Sequence, residues 1–355
     1  MIVKNEEDVI GRCLESVKDV FDEIIIVDTG STDKTKAIVK KYTNNIYDFK
    51  WENDFSKARN YSFSKATMDY IMWLDADDVV DLKNVKKLIQ LKESIKDADG
   101  IMMKYIVDFD ELNNPTFSYY RERLVKRSNN YKWVGKVHEV LDIDKKLIYS
   151  DIEVIHKRIK WTKSDRNLRI YEEMIKNNQL LNPREKFYYA RELYYNDRFD
   201  EAIKVFNEFL NDDLGWIENN IEACKNLAEC YYSLKDNRMA LRSLIRSFEY
   251  DEPRAEICCL IGNWFFMFKE YAKAISWYLL ATNKKPNVES GAFVRKDYYK
   301  YIPYIQLCVC YGNLNDFKTA EFYNKKAGLI KPKDKVYLFN KNYFAQLKIK
   351  KKKEG

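Results

Sequence analysis

Near the start of the chain, two acidic turns stand directly behind apolar runs. Asp75-Ala76-Asp77 follows YIMWL (70–74), and Asp28 follows IIIV (24–27). Carboxylates that converge at the end of a buried strand are hard oxygen ligands suited to Mg²⁺ or Mn²⁺. An ion held there can neutralise the diphosphate of a nucleotide-sugar leaving group. Helix caps and solvated turns also generate D-x-D triplets, so the triplet gains meaning from its surroundings. Asp28 opens the segment D-T-G-S-T-D (28–33), in which Gly30 permits a tight bend and Ser31 or Thr32 starts the next helix. Asp28 is placed either to accept hydrogen bonds from a uracil imide or a ribose hydroxyl, or to serve as a plain turn residue. Asp33 sits in a helix's first turn, where an acid is favoured electrostatically.

These turns need strands to carry them. Residues 24–27, 70–74, 101–107 (IMMKYIV) and 152–155 (IEVI) read as strands. Between them Val9, Ile10, Cys13, Leu14 and Val17 recur at helical spacing, and 35–42 follows a capping stretch. Alternating strands and helices predict βαβ units with a mostly parallel sheet, whose ligands bind beyond the carboxyl ends of the strands. The acids fall there.

From about Lys186 the pattern is purely helical and repeats. Ala190, Ala202 and Phe206 set offsets of +12 and +16 that recur at Ala228, Ala240 and Leu244, and again at Gly262, Ala274 and Tyr278; Cys308 and Ala320 repeat the first offset. The step from the second frame to the third is 34 residues, the tetratricopeptide period. Ala281 with Pro286, and Ala327 with Pro332, close the last two frames. Four repeats are predicted, with small residues where paired helices approach and aromatics filling the grooves. The expected organisation is a catalytic domain at 1–160, a linker helix at 161–185, repeats at 186–345 and a solvated basic tail at 346–355.

Composition bounds the function classes. The chain has 355 residues, 46% of them hydrophobic and 33% charged, with a mean hydropathy of -0.56. It is long enough for two or three domains, and wholesale disorder is excluded. The net charge is +7, but Lys348 and Lys350 to Lys353 lie in the last eight residues, so the body is too nearly neutral for a dedicated nucleic-acid surface. Seven cysteines without a C-x-x-C pair predict buried free thiols in a reducing compartment. No apolar run approaches the ~20 residues of a membrane span, and the start lacks a signal-peptide core. A cytoplasmic protein without an integral membrane segment is expected.

Five motifs stand in order: M-I-V-K-N-E-E at 1–7, V-D-T-G-S-T-D at 27–33, N-D-F-S-K-A-R-N at 53–60, L-D-A-D-D at 74–78 and W-V-G-K-V-H-E at 133–139. The series resembles the family 2 glycosyltransferases with a GT-A fold. It is most similar to the branch with a C-terminal tetratricopeptide domain, which includes the peptide S- and O-glycosyltransferases of sublancin-type glycocin clusters. The resemblance covers residues 1–160 with specific motifs and the helical remainder more loosely. It implies that Val3 and Asn5 lie beside the nucleotide, that Asp28 holds the base, and that Asp54 and Arg59 order the uridine and diphosphate region. An arginine suits a diphosphate because its planar fork pairs with phosphate oxygens. Asp75 and Asp77 become the sugar-nucleotide and metal carboxylates, with His156, at the end of IEVI, as a third metal ligand. Glu139, paired with His138 in the last motif, becomes the base that an inverting transfer needs on the face opposite the leaving group.

Two departures accompany the resemblance. The family's first strand is reduced to Met1-Ile2-Val3, and Lys157-Arg158 replaces the glycine usual after the histidine. The implied reaction is transfer from a UDP-sugar, with Mg²⁺ or Mn²⁺, to a Ser/Thr hydroxyl or Cys thiol of a peptide or protein. The repeats would serve acceptor capture or homodimerisation. The alternatives are transfer to a cell-surface glycan or lipid-linked core, and a repeat scaffold with an inactive transferase half.

Overall fold

The computed structural model describes residues 1–159, 164–286, 291 and 293–354, with side chains to residue 349. Residues 160–163, at the expected domain junction, lie outside the described residues, as do the side chains of the end of the basic tail. Contacts divide the chain into two units. One is Met1–Asp108 with Ser118–Glu192, the other Phe109–Phe117 with Leu193–Gly355.

The first unit is α/β. It begins β1 (Ile2–Val3), α1 (Ile10–Val17), β2 (Ile26–Asp28), α2 (Thr35–Val39), β3 (Ile46–Asp48), α3 (Phe55–Ser64) and β4 (Tyr70–Met72). It continues through β5 (Asp78–Val79), α4 (Leu82–Ser94), β6 (Gly100–Phe109), β7 (Pro115–Lys126), β8 (Lys132–Val134), β9 (Val140–Asp142), β10 (Ile148–His156), α5 (Arg166–Lys176) and α6 (Pro183–Tyr195). Strands β1, β2 and β3 pair in parallel, with Val3 opposite Asp28 and Asp28 opposite Asp48. A second sheet runs β7-β6-β10-β5, with β4 pairing β7. In it β10 is parallel to β6, whereas β5 and β4 join antiparallel.

The apolar spacing of α1 is realised as a buried stripe of Ile10, Cys13, Leu14 and Val17. Part of that stripe packs with Leu74, Val80, Leu88, Met103 and Val154 into the core behind the acidic turn. Helix α3 starts where Asp54 Oδ1 accepts the Lys57 N–H, and α4 where Asp81 Oδ1 accepts the Asn84 N–H. The long partner of β6, residues 115–126, was not foreseen, because charged residues at 121–123 break its apolar pattern.

The second unit is helical: α7 (Phe199–Asp212), α8 (Ile217–Ser233), α9 (Asn237–Arg246), α10 (Ala255–Met267), α11 (Tyr271–Asn283), α12 (Tyr301–Asn313), α13 (Phe317–Ile330) and α14 (Lys335–Glu354). The small residues of the repeat frames are buried: Ala228, Ala240, Ala274 and Ala320 are fully inaccessible. A methyl on Gly262 would lie 2.6 Å from the Tyr278 ring, so glycine there lets α10 meet α11. The expected basic tail continues α14, and Lys348 pairs with Glu321 at 2.6 Å. The expected linker stretch holds α5 and the first residues of α6. Helix α5 buries Leu168, Ile170, Tyr171 and Met174, and the unit boundary falls at Glu192–Leu193.

Candidate active site

The acidic turn after β4 is closed by its last member. The Asp78 N–H donates to Asp75 O (3.1 Å), and Asp78 Oδ2 accepts the Asp75 N–H (2.9 Å). Asp78 is fully buried and pairs with the equally buried Arg123 at 2.8 Å. The Arg123 guanidinium lies over Trp73 (3.9 Å) and Tyr105 (4.4 Å). Antiparallel register sets His156 opposite Asp78. Between them the Tyr105 hydroxyl is 2.8 Å from Asp78 Oδ1 and 2.8 Å from His156 Nδ1. A carboxylate can only accept, so Tyr105 donates to Asp78, and the hydrogen-bond network assigns the other proton to His156 Nδ1.

Asp77, His156 and Asp78 bring potential ligand atoms within 4.8 Å of one another. Asp75, expected among the metal ligands, is turned toward Arg59 instead, and Asp78 stands in the cluster in its place. Asp78's two oxygens are already spent on Arg123, Tyr105 and the Asp75 N–H. Asp77 Oδ1 lies 3.4 Å from His156 Nδ1. Burial works against a charged imidazole, but the neighbouring carboxylates of Asp77 and Asp78 outweigh it and push His156 up to about 9.

Arg59 joins the acidic turn to the loop that carries Glu139. Its Nη2 donates to Asp75 Oδ1 (2.9 Å) and its Nε to Glu139 Oε1 (2.5 Å). The guanidinium is framed by Trp133 at 4.8 Å and Trp73 at 5.0 Å, aromatic faces that favour a cation. Burial would raise the Asp75 carboxyl, yet Arg59 and Arg123 hold it down to about 2.

The expected nucleotide-side residues gather around β1 and β2. Asp28 is fully buried; its Oδ1 accepts the Gly30 and Ser31 N–H groups (2.9 and 2.8 Å), while its Oδ2 is buried without a hydrogen-bond partner. The turn-residue reading thus accounts for one oxygen and leaves the other. Asn5, at a φ of 55°, is tied to the same loop through the Thr32 N–H (2.8 Å) and Ser31 Oγ (3.0 Å). Val3 O accepts the Thr29 N–H. Asp33 bridges the Thr35 and Glu7 N–H groups. Asp54 is seen as the N-cap of α3, also accepting Ser56 Oγ at 2.7 Å.

His138 and Glu139 diverge. Glu139 faces Arg59, whereas the His138 Nε2 meets Glu192 Oε1 at 2.7 Å. Burial lowers the His138 pKa despite Glu192, and because a carboxylate can only accept, the ring donates its Nε2–H. Asp110, the acid just past β6, spends Oδ1 on the N–H groups of Leu112 and Asn114 in its own turn, which belongs to the second unit.

Sequence reasoning missed Tyr105 and Arg123, which sit at alternate positions of long strands and carry no local motif. It also missed Glu6. Burial, then Asp77 and Asp75, push that carboxyl up to about 7, and only the acidic turn's position in space could have revealed it.

Residues 1–163 match the family described as Glycosyl transferase family 2. Residues 1–163 therefore carry a family 2 glycosyltransferase domain, and the second unit is an array of helices whose small residues recur at tetratricopeptide-like spacing. The chain is 32% identical over 276 residues to the SPbeta prophage-derived glycosyltransferase SunS of Bacillus subtilis. That match covers 72% of this chain and 63% of the relative, so the chain spans less than two thirds of that relative's length. It is also 32% identical over 142 residues to a TPR repeat-containing protein of Synechococcus elongatus, covering 40% of this chain and 34% of that one. A third relative, the lipopolysaccharide core biosynthesis glycosyltransferase LpsC of Rhizobium meliloti, is 27% identical over 150 residues, 39% of this chain and 54% of LpsC. Among the described residues no helix is long and apolar enough to cross a membrane, and all seven cysteines are buried and unbridged.

Proposed function

We propose that this chain is an inverting glycosyltransferase that moves a sugar from a UDP-sugar to a hydroxyl or thiol of a peptide or protein, with a divalent ion. The observation that carries the reading is the bridge Glu139–Arg59–Asp75, set beside Asp77 and His156. Glu139 takes the proton from the acceptor, so its carboxylate belongs on the side from which the acceptor attacks. Arg59 already donates through Nε and Nη2, which leaves Nη1 for a diphosphate oxygen. The unpartnered Oδ2 of Asp28 accepts the uracil imide N–H.

The donor set fits a divalent ion. Asp77 is a quarter exposed, and the one partner of its carboxylate among the described residues is His156. Carboxylate oxygen with imidazole nitrogen suits Mn²⁺ more than Mg²⁺. Asp77 and His156 would hold the ion, with Asp75 next to them on the turn, and the ion would supply charge stabilisation to the departing UDP. His156 must lose a proton to ligate, and Asp78 with Tyr105 keeps the ring in place while it does so. The buried free thiols suit a reducing, cytoplasmic setting.

The experiment is UDP release by the purified full-length chain from UDP-glucose, UDP-N-acetylglucosamine and UDP-galactose, with Mn²⁺ or Mg²⁺. Cys- and Ser-containing peptides in the same reactions are read by mass. Metal-dependent UDP release with a hexose or N-acetylhexosamine mass added to a peptide is the expected result. No UDP release from any donor would overturn the reading, full activity in excess chelator would remove its metal component, and release without peptide modification would shift the acceptor to a glycan or lipid-linked core.

A further inference from the structure

The Glu139 loop joins two short strands, β8 and β9, whose register pairs Val134 with Val140. It turns through two left-handed residues, Gly135 at φ 92° and His138 at φ 52°. A histidine in that region carries backbone strain, so its surroundings must impose the conformation. Each residue between Gly135 and Glu139 is pinned to a different element. Lys136 O accepts the Phe55 N–H (2.9 Å), and Val137 packs with Ile170, Tyr171 and Met174 of α5.

His138 is held by one face of α6. Arg184 donates through Nε and Nη2 to His138 O (3.3 Å each), the Tyr188 ring stacks on the imidazole (4.1 Å between centroids, 15° between planes), and Glu192 takes the Nε2–H at 2.7 Å. Positions 184, 188 and 192 are spaced by four, so a single helix face grips the carbonyl, the ring plane and the ring nitrogen of one residue. Glu192 also accepts from Asn167 Nδ2 of α5 at 3.2 Å. Of this loop, Glu139 alone turns its side chain to Arg59.

We propose that Arg184, Tyr188 and Glu192 are positioning residues for Glu139. By fixing His138 in its left-handed conformation, they set the direction in which the chain enters Glu139 and hold its carboxylate on Arg59. The inference rests on the reading of Glu139 as the base. None of the three residues touches the reacting atoms, so their effect must pass through Glu139.

The test is a double-mutant cycle in the full-length chain, with Mn²⁺ and UDP-glucose as probe and UDP release as readout. Glu192→Ala is expected to lower kcat about 10-fold with the donor KM within about twofold, because a loosened base loses alignment without weakening donor binding. Glu192→Gln, whose Oε1 can still accept from His138, restores most of that rate. In the Glu139→Gln background Glu192→Ala should have no further effect.

The chain has two histidines, so long-range ¹H–¹⁵N spectra of the ring nitrogens report the clamp directly. His138 should show a protonated Nε2 in the parent and in Glu192→Gln, and lose that preference in Glu192→Ala. If Glu192→Ala does not fold, Arg184→Gln takes its place in the cycle, with the same expected loss of kcat. Equal losses in both backgrounds, or a parental kcat in Glu192→Ala, would overturn the positioning role. An unchanged rate in Glu139→Gln alone would instead overturn the base assignment, which keeps the two failures apart.

Discussion

Asp77 and Asp78 are chain neighbours, yet replacing each with asparagine should give opposite phenotypes. In Asp78→Asn the buried Arg123 guanidinium loses its counter-charge. The new amide must also point its N–H₂ either at the Tyr105 hydroxyl or at Arg123 and the Asp75 N–H together, all of them donors to Asp78. Removing one partner of a buried pair costs about 3–5 kcal/mol. For a unit of this size each kcal/mol moves the midpoint by about 2–4 °C, so the melting temperature should fall by about 6–20 °C. Among the described residues the Asp77 carboxylate has no fully buried partner, and its loss trades a 3.4 Å contact with His156 against relief of crowding among the acids near Glu6. Its stability change should stay within about 1 kcal/mol. Metal-dependent UDP release should nevertheless fall about 100-fold or more, as expected for a metal ligand rather than an outer partner. Thermal melts followed by tryptophan fluorescence, with Trp73 and Trp133 beside the site, measure the first quantity, and UDP release the second. The reasoning is refuted if Asp78→Asn melts within about 1 kcal/mol of the parent, or if the two variants are equally destabilised.

Three further outcomes are expected. Glu139→Gln should lower kcat for UDP release by roughly 10²–10⁴ with donor binding by calorimetry little changed; a thiol acceptor should regain rate as pH approaches its pKa, and a hydroxyl acceptor should not. Arg59→Lys should fail to rescue Arg59→Ala, because an ammonium cannot present Nε and Nη2 to Asp75 and Glu139 at once; equal activity of Arg59→Lys and the parent would contradict this. Glu6 binds its proton more tightly in the folded chain, from 4.5 up to about 7, chiefly through burial. The folded state therefore holds more protons than the unfolded one between those values, and stability should decline as pH rises through that window. Urea melts at intervals from pH 4.5 to 7 should show this slope flattened in Glu6→Gln.

What could be read from the sequence was set by how local each feature is. The strand ends bearing Asp28 and Asp75 follow from short apolar runs, and the repeat frames from spacing alone, because both are fixed by residues close in the chain. Ala228, Ala240, Gly262 and Tyr278 fall on facing helices for that reason. Arg123 and Tyr105 carry no such mark. They meet Asp78 across 45 and 27 residues, and only the sheet brings them together. The division of labour among Asp75, Asp77 and Asp78 was equally hidden, since three acids in four positions look alike until one of them is buried.

The same logic explains why most of α6, up to Glu192, lies in the first unit although its sequence opens the helical repeats. Ala190 fits the repeat frame, and by pattern the catalytic half should end before it. Yet Arg184, Tyr188 and Glu192 face His138, and Tyr188 and Tyr189 pack against the core of Val137, Ile170, Tyr171 and Met174. One helix can satisfy both demands because its faces are independent. The four-residue spacing that serves His138 and the position of Ala190 lie on different rows of the same helix. A periodicity in the sequence identifies the row that repeats and is blind to the other, so the row that governs Glu139 became visible only with the fold.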